Sequence, residues 1–196
     1  MPTLVMLHGM TGTASMMQPF AESIAPNDWK VNCPEAIFPH PKRGKSWWRY
    51  EDFSDDSPRK NRLSGKELSD VDKSLADLSS VLGTECIVGG FSQGGAMAQE
   101  LLQLDAESNI KGLICIATRV IRPMELRVRL AEIEPRPVLW MHGLNDHRVP
   151  FENGIEVAEI FSQAGWPVTR IEHGKGHMIP TEYHQEISAW LDSISL

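Results

Sequence analysis

Cysteine is scarce in this chain of 196 residues. The three thiols, Cys33, Cys86 and Cys115, are scattered and include no C-x-x-C pair, so a disulfide framework is excluded and a reducing compartment is the expectation. No run of about eighteen apolar residues occurs, and the opening stretch Met1 to Leu7 has no basic segment and too short an apolar run for a signal peptide or membrane span. The expectation is a soluble, cytoplasmic protein. Positive charge is in deficit as well. With 19 Lys and Arg against 26 Asp and Glu, the formal net charge is -7, which disfavours nucleic acid and anionic lipid as general partners. One basic run, Arg119, Arg122, Arg127 and Arg129, is interleaved with Glu125 and Glu132 and reads as a solvated helical face rather than an anion site. Internal repeats, low-complexity tracts and linkers are missing too, so residues 1–196 are expected to form a single domain.

What is present is a globular composition, 41% apolar and 23% charged. Thr3 to Leu7 reads as a short buried strand emptying into the loop His8-Gly9, and Trp29 to Cys33 as a second strand. From Pro34 to Arg62 the pattern dissolves into Pro, Gly, charge and the aromatic group Trp47, Trp48, Tyr50 and Phe53. Ser64 with Glu67 predicts a capping box, and Leu68, Val71, Leu75, Leu78 and Leu82 follow at helical spacing. Strands are expected over Glu85 to Val88, Ile110 to Ala117, Pro137 to His142 and Val168 to Glu172. Helices are expected over Gly94 to Leu104 and Glu152 to Ala164, with a last one carrying Tyr183, Ile187, Trp190, Leu191 and Ile194. This alternation predicts an α/β fold, a mainly parallel sheet covered on both faces, with any ligand beyond the carboxyl ends of the strands.

The chemistry is announced by Gly90-Phe91-Ser92-Gln93-Gly94, a G-x-S-x-G string placed between an expected strand and an expected helix. The sharp turn there exposes Ser92 on a strained backbone, and the small neighbours Gly90, Gly94 and Gly95 give it room. A serine hydroxyl is a weak nucleophile at neutral pH, so it needs a base and the base needs an orienting acid, in the chain order Ser, acid, His. His177, in Gly174-Lys175-Gly176-His177 beyond a late strand, is the preferred base, on a loop able to swing an imidazole over the sheet edge. His173 is its main competitor, ahead of His147, His184 and His142. Asp146, in the loop after the strand ending at His142, is the preferred acid over Glu152, which opens a helix, and Asp105, which ends one. Oxyanion donors come from the amides of Gln93, after the nucleophile, and Met10, in the glycine-bearing loop after the first strand. His8 reads as a packed, hydrogen-bonded loop residue. This chemistry requires no cofactor.

Four blocks, Leu7-His8-Gly9-Met10, Gly90-Phe91-Ser92-Gln93-Gly94-Gly95-Ala96, His142-Gly143-Leu144-Asn145-Asp146 with Val149-Pro150, and Gly174-Lys175-Gly176-His177, resemble the phospholipase/carboxylesterase group of α/β-hydrolases, which includes the acyl-protein thioesterases. The resemblance implies an α/β-hydrolase fold with a minimal cap, and esterase or thioesterase action on a small acyl ester, a lipid or an acylated protein. It gives Ser92, Asp146 and His177 as the triad and Met10 and Gln93 as the oxyanion amides. Ser46-Trp47-Trp48 is similar to the group's Ser-Trp-aromatic segment near the acyl site. Ala117-Thr118-Arg119 departs from the small Ser-Gly-rich turn common in members, which implies a different acyl pocket.

Trp47 and Trp48, with Tyr50 and Phe53, are therefore read as a substrate-binding pocket rim, with core packing or a homodimer face as the alternatives. Gly44-Lys45-Ser46 ends like a phosphate-binding loop, but Pro39 stands where its first glycine belongs. His173 and His177 are four apart like zinc ligands, yet Gly174 and Gly176 make the segment a loop, so no metal is expected. Cys86 and Cys115 read as inert strand packing. A reading of another class, a hydrolase fold that has lost turnover and only binds, is disfavoured because all three triad residue types stand in order.

Overall fold

The computed structural model describes residues 1–50 and 62–194. Phe53, one of the expected rim aromatics, lies outside them. Six strands form one sheet: β1 (Thr3–Leu7), β2 (Lys30–Asn32), β5 (Cys86–Phe91), β6 (Ile110–Ile116), β7 (Val138–Gly143) and β8 (Val168–His173). Their spatial order is β2-β1-β5-β6-β7-β8 and every pairing is parallel. Each expected strand is present, with ends shifted by a few residues. The extensions of β5 to Phe91 and of β8 to His173 carry the strands to within one and four residues of the candidate Ser92 and His177.

Alternation along the strands explains why both faces are covered. Val5, Leu7, Val88, Leu113, Cys115, Val138 and Trp140 belong to one buried cluster, while Leu4, Met6, Ile87, Ile114, Leu139 and Met141 belong to another. A strand sends successive side chains to opposite faces, so an unbroken apolar run needs helices on both. The first cluster is completed by α2 (Gly65–Leu78), α3 (Gln93–Glu100), α4 (Pro123–Leu130) and α5 (Phe151–Gln163), the second by α1 (Ala14–Ile24) and α6 (His184–Asp192). Fully buried Trp140 and Phe161 anchor the thicker side, where truncation to alanine costs about 3–5 kcal/mol. Trp190, on the apolar side of the last helix by spacing, is only partly buried against the second cluster.

The capping box on α2 is present in both directions, Ser64 Oγ accepting from the Glu67 amide and Glu67 accepting from the Ser64 amide. The helix stops at Leu78, so Leu82 falls beyond it. The helix expected to reach Leu104 tightens into a 3-10 turn after Glu100, and Asp105 opens a further 3-10 turn instead of ending a helix.

Periodicity missed two features, α1 between the first two strands and, after Pro34, an antiparallel hairpin of β3 (Phe38–Pro39) and β4 (Lys45–Ser46). Strands of two residues leave no periodic trace. Gly44 closes the hairpin at φ +63° against the carbonyls of Thr11 and Gly12, where a Cβ has no room.

Candidate active site

The sheet reverses its strand order between β1 and β5, and the loops leaving their carboxyl ends diverge there, the usual place for a ligand in such sheets. A cavity of about 520 Å³ opens at this point. Its walls come from the loop after β1 (Met10, Thr11), the end of β5 (Phe91, Ser92) and the loop after β8 (His177).

Ser92 caps α3 with φ 56° and ψ -115°, a left-handed backbone that a serine adopts only under constraint. The constraint is visible. The Ser92 amide donates to Ile116 O at 2.9 Å, and Ser92 O accepts from Thr118 Oγ1 at 2.7 Å and from the Ala96 amide at 3.2 Å. A Cβ on Gly94 would strike Leu7 O, and one on Gly90 would strike the Gly94 backbone, so the turn and the strand beneath it touch backbone to backbone.

From Ser92 a hydrogen-bonded line runs across three strand ends. His177 Nε2 lies 3.0 Å from Ser92 Oγ, and His177 Nδ1 lies 2.7 Å from Asp146 Oδ2. An ionised carboxylate only accepts, so Nδ1 carries the proton, and Nε2 is left to accept from the serine hydroxyl. The Phe91 ring packs beside the imidazole, centroids 4.8 Å apart. Asp146 Oδ1 accepts the amides of Arg148 and Val149, each at 2.9 Å. Burial by itself pushes this carboxyl up, but the hydrogen bond and charge of His177 and the two amides outweigh it and hold Asp146 below the usual carboxylate range.

The loops bearing the acid and the imidazole are sewn together. Leu144 N donates to His173 O, Asn145 N to Lys175 O and Asn145 Nδ2 to Gly174 O, at 2.8, 3.2 and 2.7 Å. The His177 loop is thus tied to its neighbour at three points. Asn145 was not singled out in the sequence, although it stands within the block containing Asp146. His142, an alternative base by sequence, takes a supporting place instead. Its Nε2 donates to Val149 O at 3.0 Å and stands 3.5 Å from Asp146 Oδ2, with its ring stacked on Trp140. Burial lowers its pKa, so it is neutral at pH 7.

The competing residues stand elsewhere. His173 is buried beside Tyr183 with Nδ1 accepting from the Lys175 amide, His184 meets Ser23, and His147 is exposed. Glu152 sits in the first turn of α5. His8 is a packed loop residue as expected, Nδ1 donating to Gly9 O and Nε2 accepting the Ala36 amide.

Met10 and Gln93 both line the cavity, Gln93 as the first residue of α3, where an amide has no partner within the helix. The Gln93 side chain does something the sequence did not announce. Its Oε1 accepts the Trp47 amide at 2.9 Å and its Nε2 donates to Trp48 O at 3.1 Å, so one carboxamide grips the chain just after β4. The same hairpin is held from the other side, Thr11 N donating to Lys45 O and Lys45 N to Gly12 O. Of the two expected rim tryptophans, Trp48 does line the cavity, whereas Trp47 does not and is fully buried with Nε1 donating to His8 O. The buried Trp47 indole N–H finds its partner in His8 O at 2.8 Å.

The basic run divides in the same way. Arg122 pairs with Glu100 and Asp72, and Arg129 donates to Leu102 O. Arg119 precedes α4 and is buried in the cavity wall, so the solvated-face reading fails at this residue.

The family model described as Serine hydrolase (FSH1) matches residues 2–188. An acyl-protein thioesterase 1 of Gibberella zeae is 29% identical over 58% of this chain and 49% of its own length, and a probable carboxylesterase SOBER1-like protein of Arabidopsis thaliana is 26% identical over 65% and 53%. The chain thus spans about half the length of the curated relatives it matches. The crystal structure of Zea mays acyl-protein thioesterase 2 superposes with a TM-score of 0.76 at 22% identity, covering 98% of this chain and 93% of that one, which establishes the shared α/β-hydrolase fold. These names agree with the resemblance read from the four sequence blocks.

Proposed function

Because this chain belongs to the FSH1 serine hydrolase family, we propose that it cleaves carboxylic esters or thioesters through an acyl-enzyme formed on Ser92. The observation that carries this reading is the continuous line from Ser92 Oγ through His177 to Asp146, at 3.0 and 2.7 Å. In this mechanism Oγ attacks the acyl carbonyl while its proton passes to His177 Nε2, and Asp146 stabilises the imidazolium that results. The oxyanion is received by the amides of Met10 and Gln93. Nε2 then protonates the departing oxygen or sulfur, and water repeats the sequence to release the acid.

Relatives named as a thioesterase and a carboxylesterase support the reaction class. We assign the chain a single domain and a cytoplasmic location, supported by three free thiols, of which Cys86 and Cys115 are fully buried, and by the absence, among the described residues, of any helix able to cross a membrane. The test is Ser92→Ala, expected to lower kcat on p-nitrophenyl butyrate by on the order of 10⁶ and to abolish labelling by a fluorophosphonate. A variant as active as the parent ends the proposal. Since the base must be unprotonated, kcat/KM rises with pH on the acid side, and a flat profile between about pH 5 and 8 also counts against His177.

A further inference from the structure

The charge of the cavity runs opposite to that of the chain. A protein of net charge -7 presents an anionic average surface, yet the described residues lining the space over Ser92 include Lys42, Arg43, Arg119 and Arg148 and no carboxylate. These cations converge from three elements. Lys42 and Arg43 sit at the tip of the β3–β4 hairpin, Arg119 in the turn after β6, and Arg148 in the loop after Asp146. Arg119 is only 6% exposed, so its charge is poorly screened by water. Lys42, Arg43 and Arg148 are exposed and extend the same field to the mouth. Lys42 and Arg119 are themselves engaged in further interactions, and the exposed Arg43 and Arg148 add to the positive charge of the described wall. The same wall carries an apolar component in Met10, Phe91, Ala96 and Val149, beside polar groups such as Thr11 and Tyr50.

We propose that the substrate is an anionic ester or thioester, with an apolar segment at the scissile carbonyl and a carboxylate or phosphate a few atoms away among these cations. The inference deepens the hydrolase reading above and rests on it for the chemistry, but binding can be read without turnover. It also predicts a sign. Without such a wall, the net charge of the chain would make an anionic ester the poorer substrate of a matched pair.

Two matched pairs locate the charge. In the acyl arm, p-nitrophenyl hemiadipate is compared with p-nitrophenyl heptanoate. In the leaving-group arm, the butyrate ester of 4-hydroxyphenylacetate is compared with that of 4-hydroxyphenylacetamide. At low ionic strength one arm is expected to favour the anion at least tenfold in kcat/KM. That preference should shrink in about 0.5 M NaCl, and by at least fivefold in an Arg43→Gln, Arg148→Gln double variant, whose positions are exposed and safe for folding. Equal or neutral-favouring ratios in both arms, or a preference indifferent to both salt and substitution, overturn the inference. If no ester of either charge is turned over, the hydrolase reading fails. Calorimetry of adipate monoamide against its neutral diamide on the Ser92→Ala variant then decides the anion site alone, with tighter binding of the anion supporting it and equal binding overturning it.

Discussion

Asp146 and Glu100 are carboxylates buried to a similar depth, 5% and 3% exposed, and they titrate in opposite directions. Burial pushes both up. At Asp146 it is outweighed by His177 and by two backbone amides that the loop itself delivers, so no side chain has to be ordered to provide them. At Glu100 burial wins and drives the carboxyl to about 7, although Arg122 Nη1 lies 2.9 Å from Oε2. That guanidinium is shared with Asp72, and the charges of Glu125 and Asp72 add to the upward push. One divided cation does not replace a preorganised set of donors.

The largest test of the contrast is Asp146→Asn, which keeps the shape and removes the charge. A fall in kcat of about 10⁴ is expected, by analogy with other triads, and a fall under tenfold would mean that the carboxylate is not what orients His177. Gln93→Leu comes next. The backbone amide survives but the grip on Trp47 and Trp48 is lost, and kcat should drop by roughly 10–100-fold, the scale of a misplaced catalytic geometry, with KM changing less. A smaller effect is expected from His142→Phe, which preserves the stack on Trp140 but deletes the N–H near Asp146. About a three- to tenfold loss in kcat corresponds to one net hydrogen bond, and an unchanged rate would remove His142 from the support of the acid.

Glu100→Gln should leave activity within about twofold and alter only the pH dependence of stability. The folded carboxyl, raised from 4.5 to about 7, holds a proton that the unfolded chain releases. Its contribution is therefore fully present below about pH 4.5 and lost as pH rises through 7. Denaturant melts at pH 5 and 8 should show the parent losing roughly 1–3 kcal/mol relative to the variant, the buried neutral histidines being common to both. A constant difference would show Arg122 holding Glu100 ionised throughout.

Which parts of this arrangement could be read beforehand depends on how local the physics is. The four inner strands β1, β5, β6 and β7 declare themselves as apolar runs because both faces are buried, and Ser92 is legible because an elbow needs glycine at neighbouring positions. His177 and Asp146 follow from chain order and from loops that begin at strand ends. Two-residue strands have no period, so the β3–β4 hairpin is silent, and the burial of Trp47 involves His8 O, a partner 39 residues away. The basic run has no single fate, because Arg119 enters the cavity wall and Arg122 reaches the buried Glu100, and spacing alone does not separate these from a solvated face. The roles of Asn145 and the Gln93 side chain depend on contacts between loops, which residue type cannot announce.

The short hairpin that closes at Gly44 touches the loop of Met10 on one side and the side chain of Gln93 on the other. Mechanically it is a single brace for two separate supports. Deforming it would slacken both proposed oxyanion donors in concert, and lesions along it would compound as one shared fault instead of adding as independent ones.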